Sequence, residues 1–83
     1  MAEKYRILFA EDDKGLRDIT TLFLTKNGFD VDTAQNGYEA LELAEKSTYD
    51  VIVLDIMMPG KDGKEVCRLI REKYDVPIIF LTA

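Results

Sequence analysis

The chain has 83 residues, 47% of them apolar and 33% charged, with a formal net charge of −5. That length holds one small domain burying only about 60–65% of its unfolded surface, and the acidic balance disfavours nucleic acid or an acidic membrane as partner. Histidine is absent, and Ser47 and Cys67 are the single serine and cysteine, which excludes an internal disulfide, a Ser-His or Cys-His nucleophile, and a thiolate or imidazole zinc site.

Tyr5 and Arg6 lead into an apolar run, Ile7 to Ala10, that is too short for a signal peptide or a membrane span. With a lone cysteine and no such segment, a reducing, cytoplasmic location is expected. The run is apolar throughout and reads as a strand buried on both faces, ending at Glu11-Asp12-Asp13. From Lys14 to Asn27, Leu16, Ile19, Leu22 and Phe23 recur at helical spacing, and Gly28 follows as the cap. Val31 to Ala34 is a short second strand. Asn36, three residues before Glu39, starts a helix with Ala40, Leu41 and Ala44 on its apolar face.

Val51 to Leu54 is a second uninterrupted apolar run, and it too ends in a carboxylate, Asp55. Met57 to Gly63 is rich in turn residues. A third helix, about Lys64 to Tyr74, is expected to bury Val66, Leu69 and Ile70, and Pro77 to Thr82 forms a fourth buried-type strand. Strands that alternate with helices and are apolar throughout imply one α/β domain over residues 1–83, a parallel sheet with helices on both faces. Right-handed crossovers place its ligand site at the C-terminal strand ends, where strand order reverses.

Two strand ends carry acids. If those strands are neighbours, three or four acids among Glu11, Asp12, Asp13 and Asp55 converge on one sheet edge, and like charges there call for a cation. Oxygen-only donors suit a hard ion, Mg2+ above all, and a carboxylate beside Mg2+ is a competent nucleophile toward phosphorus. Asp13 reads more simply as the cap of the helix that starts at Lys14. Asp55 has no such excuse, because the next helix begins well beyond a Pro-Gly turn and an unpaired acid after a buried strand is costly.

Together, Ile7-Leu8-Phe9-Ala10-Glu11-Asp12-Asp13, Val51-Ile52-Val53-Leu54-Asp55-Ile56-Met57-Met58-Pro59, Asp62-Gly63 and Pro77-Ile78-Ile79-Phe80-Leu81-Thr82-Ala83 resemble the receiver domain of two-component response regulators. The resemblance implies a flavodoxin-like three-layer α/β/α sheet in the order 2-1-3-4. It implies a signalling domain rather than an enzyme, acting in a phosphorelay. Asp55 matches the phosphoacceptor, charged by the phosphohistidine of a sensor histidine kinase. Asp12 matches the direct Mg2+ ligand, Glu11 the acid acting mainly through water, and Met57 the position whose backbone carbonyl binds the ion. Thr82 matches the switch hydroxyl, Ala83 the small residue beside it, and Pro59 and Gly63 the residues shaping the loop.

The family's domain has five strands and five helices, whereas this sequence stops after the fourth strand. The lysine that bridges phosphoacceptor and phosphoryl group, the aromatic switch position and the last helices are not matched. The fourth strand, interior in the family, becomes an apolar edge, so self-association by edge pairing is expected. A competing reading is therefore an assembling segment without phosphotransfer. A Mg2+ phosphohydrolase is disfavoured because Met57 stands where such enzymes place a second acid. Cys67 is expected in the core or half-buried, and Lys61, Lys64 and Arg68 on a solvated face.

Overall fold

In the computed structural model, residues 4–58 and 63–81 are described. They form β1 (Arg6–Ala10), α1 (Lys14–Lys26), β2 (Asp30–Ala34), α2 (Gly37–Lys46), β3 (Val51–Asp55), α3 (Gly63–Lys73) and β4 (Ile78–Leu81). All pairings are parallel, and the sheet order is β2-β1-β3-β4. This is the flavodoxin-like order that the receiver-domain resemblance implies, with the parallel pairing that the apolar strand runs imply.

The first two helices begin where the sequence offers a cap. Asp13 accepts from the Leu16 amide at 3.3 Å, and Asn36 accepts from the Glu39 amide at 2.9 Å. Glu39 in turn grips Gln35 through its backbone and side-chain amides, each at 3.0 Å. Gly28, at φ 91°, takes the left-handed conformation that ends α1 and turns the chain into β2.

The main core lies on one face of the sheet. Leu8, Ala10, Ile52 and Leu54 from β1 and β3 meet Ala40 and Ala44 of α2 and Val66, Cys67 and Ile70 of α3. Cys67 is buried, as expected, and Arg71 Nε donates to its sulfur at 3.3 Å. Leu69 is only half-buried, while Arg68 stays outside and pairs with Glu65 and Glu72. Ile7 and Phe9 are buried toward the opposite face, where α1 packs over β1 and β2.

Beyond α1 that second face is open. Leu16, Ile19, Leu22 and Phe23 are exposed, with Ile19 70% accessible. Their helical spacing reported an apolar stripe, but no described element lies over β3 and β4 to cover it.

A carboxylate cluster at the β1 and β3 ends

Register brings the candidate acids together. Ala10 pairs with Leu54, so the next residues, Glu11 and Asp55, leave the sheet side by side. This is where strand order reverses: from β1 the chain moves one way to β2, and later the other way to β3 and β4. Glu11 is held to the sheet by its amide, which donates to the Ala34 carbonyl at 3.0 Å. Asp12 follows in the β1–α1 loop and is exposed.

Carboxylate oxygens of Glu11, Asp12 and Asp55 all lie within 4.8 Å of one another. Glu11 is 4% exposed. Burial pushes its carboxyl up to about 7, the hydrogen bond from the Asp13 amide at 3.2 Å pulls it down, and sharing with Asp55 and Asp12 pushes it up again. Burial dominates. The all-oxygen donors of this acid trio fit a hard divalent ion such as Mg2+. Among the described residues, no other group of three acids, cysteines or histidines is so placed.

The far side of the site is anchored by two backbone bonds and one from a backbone amide to the Asp55 carboxylate. The Ile56 amide donates to the Leu81 carbonyl at 3.2 Å, and the Gly63 amide donates to the Ile56 carbonyl at 3.0 Å. The Met57 amide donates to Asp55 Oδ1 at 3.2 Å, which fixes the rotation of that carboxylate. The Met57 side chain points to solvent, 73% exposed, so any part it plays falls to its backbone. Asp13 caps α1 as read. Pro59, Lys61, Thr82 and Ala83 lie outside the described residues.

Two features escaped the sequence reading. One is Arg17, whose Nη1 reaches back from α1 to the Glu11 and Asp12 carbonyls at 2.8 and 3.3 Å. The other is a network at the opposite sheet edge. There Arg6 Nη2 meets Asp32 at 2.8 Å, the Tyr49 hydroxyl donates to Asp32 at 2.7 Å, and the guanidinium lies 5.0 Å from the Tyr49 ring centroid. A cavity of about 380 Å³ opens at that same edge, beside Tyr49, Ile52, Tyr74 and Val76, and includes none of the clustered acids. The convergent acids, rather than the roomier hollow, carry the chemistry.

Comparison with known proteins agrees with this geometry. The profile of a family described as the response regulator receiver domain matches residues 7–83. A Francisella response regulator receiver domain is 37% identical with a TM-score of 0.93, over 96% of this chain and 67% of that one. The response regulator TrrA of Thermotoga maritima, in complex with Mg2+-BeF, is 44% identical with a TM-score of 0.90, over 95% of this chain and 70% of that one. The same protein in complex with the histidine kinase ThkA gives a TM-score of 0.89, over 95% and 69%. The chain thus spans about two thirds of the length of these relatives. With register, strand order, acid cluster and profile in agreement, the chain belongs to the response regulator receiver domain family.

Proposed function

We propose that this chain is a phosphoacceptor signalling domain in which Asp55 receives a phosphoryl group from the phosphohistidine of a sensor histidine kinase. The observation that carries the reading is the convergence of Glu11, Asp12 and Asp55 within 4.8 Å at the reversal of strand order. The kinase complex and the Mg2+-BeF complex of TrrA support it by likeness. Glu11, Asp12 and Asp55, with the Met57 carbonyl, would hold Mg2+. When bound, the ion would neutralise charge on the acids and on the incoming phosphoryl oxygens.

The chain's own part is positional. The Met57 amide fixes Asp55 Oδ1, so the carboxylate presents a defined oxygen to phosphorus. That oxygen forms the new P–O bond as the P–N bond to the imidazole breaks, leaving an acyl phosphate on Asp55 and the electron pair on the imidazole nitrogen. Thr82 is assigned the switch hydroxyl that answers the new phosphoryl oxygens. The group stays on the protein as a signal, so the domain is a switch and not a turnover enzyme. Among the described residues no helix is long and apolar enough to cross a membrane, and a cytoplasmic location is proposed with the kinase partner.

Incubation with acetyl phosphate and Mg2+ tests the reading. Intact mass should rise by one phosphoryl group, and the increase should vanish with EDTA or in Asp55→Asn. Phosphorylation that persists in Asp55→Asn would overturn the assignment.

A second behaviour is supported by β4, an edge strand of the sheet among the described residues, where Ile79, Phe80 and Leu81 are exposed. An apolar edge with unpaired backbone groups is a template for a second copy. Sedimentation should show association that Ile79→Lys weakens; a monomer at tens of micromolar would refute it.

A further inference from the structure

Metal-site accounts that stop at the carboxylates omit what holds the carboxylates still. Here both acids from the β1 end sit on a short loop, and their two peptide carbonyls point at one side chain. Arg17 Nη1 takes a hydrogen bond to each, 2.8 Å to the Glu11 oxygen and 3.3 Å to the Asp12 oxygen. The base of that side chain is itself fixed. The Arg17 amide donates to the Asp13 carbonyl at 2.9 Å, and the Asp13 side chain caps the Leu16 amide. The first turn of α1 is therefore rigid, and Arg17 folds back from it across the loop.

We propose that Arg17 is a positioning residue for the cation site, bracing the Glu11 and Asp12 peptides so that their carboxylates face Asp55. The inference rests on the proposed Mg2+ role of the cluster and concerns how this chain preorganises it. Two bonds to successive carbonyls leave the loop little freedom to swing either acid out to solvent. The guanidinium suits the task, because its planar donors reach two acceptors from one stem.

Charge and geometry make opposite predictions, which gives the idea its test. A cation beside a cation site repels the incoming ion, so charge alone would have Arg17 weaken Mg2+ binding. Bonds from Lys14 to Asp18 and from Gln35 to Glu39 lead in holding those two carboxyls below the usual range, and the Arg17 charge adds to both. The brace is geometric: it lies in the bonds to the Glu11 and Asp12 carbonyls.

The experiment is an NMR titration of the 83-residue chain with Mg2+ alone, for the wild type, Arg17→Met and Arg17→Lys. Arg17→Met should weaken Mg2+ binding by about tenfold. Arg17→Lys, with the same charge and an ammonium that can still donate to a carbonyl, should recover part of the loss. In the metal-free spectra the amide shifts of Arg17→Met should centre on Glu11, Asp12 and Asp13. Equal or tighter Mg2+ binding by Arg17→Met, with a normal wild-type response, would overturn the inference alone. No wild-type response to Mg2+ would overturn the cation reading and this inference with it. If Arg17→Met does not fold, Arg17→Ala decides: affinity identical to the wild type removes the brace.

Discussion

Gly63 and Asp55 meet backbone to backbone: the first residue of α3 stands so close that a β carbon on Gly63 would collide with the Asp55 carbonyl oxygen. The same atom would lie 2.9 Å from the Ile56 α carbon and 3.0 Å from the Asp55 carbonyl carbon. None of these neighbours is a flexible side-chain end. The start of α3 is thus seated directly on the peptide of the proposed phosphoacceptor.

Gly63→Ala should therefore destabilise the chain although alanine favours helices by up to about 1 kcal/mol. Backbone must shift to admit the methyl, at a cost of about 1–3 kcal/mol. A lower urea midpoint with an unchanged slope is the expected result. Asp55 moves with the strain, so the Mg2+-dependent mass increase should also slow.

Glu11 gives a pH dependence with a definite sign. Its carboxyl rises from 4.5 to about 7 on folding, so the folded, metal-free chain binds the proton more tightly than the unfolded chain. This contribution is fully present below pH 4.5 and is lost as pH rises through about 7. It amounts to at most on the order of 3 kcal/mol. In EDTA, Glu11→Gln should flatten the fall in thermal midpoint between pH 5 and about 8 seen in the wild type. Mg2+ affinity should run the other way and rise with pH over the same range, because the ion competes with the proton.

Tyr49→Phe isolates one hydroxyl in the network at the opposite edge. The ring stays under the Arg6 guanidinium, and Asp32 keeps its pairing with Arg6, so the loss is confined to the hydroxyl's hydrogen bonds, to Asp32 and to Ser47. A loss of about 1 kcal/mol by urea unfolding is expected. Burial, then Asp32, pushes this phenol up to about 12, so the wild-type tyrosine should resist alkaline titration beyond the range of its exposed counterparts.

Thr21 offers a gain. Its Oγ1 is buried and has no hydrogen-bond partner among the described residues. Thr21→Val keeps the branched shape and removes the stranded oxygen, so stability should rise by about 1 kcal/mol. A lower melting temperature would show that the hydroxyl is satisfied in solution.

The sequence carries the strands of this fold well and its layers less well. Runs such as Ile7 to Ala10 and Val51 to Leu54 announce double burial, and parallel pairing follows from it. The caps at Asp13, Asn36 and Gly28 are legible because capping is local chemistry. The stripe on α1 is different. Its period gives a helix and an apolar side, but whether anything covers that side is a tertiary fact, and here Ile19 and Phe23 face outward. The acids were legible as strand-end residues, and strand adjacency made them a site. Arg17 was not legible, since a side chain donating to backbone carbonyls leaves no pattern of residue types.

The pairing of β1 with β3 also makes the acid cluster a checkpoint on the winding of the chain. Glu11 and Asp55 become neighbours only after β2 and its flanking helices have been laid down and the chain has crossed back. A slip of one residue in that pairing would exchange the inward and outward side chains of β3 and turn Asp55 away from its partners. A divalent ion that needs all three carboxylates would draw a mixed population toward correctly threaded molecules, and its uptake would count them.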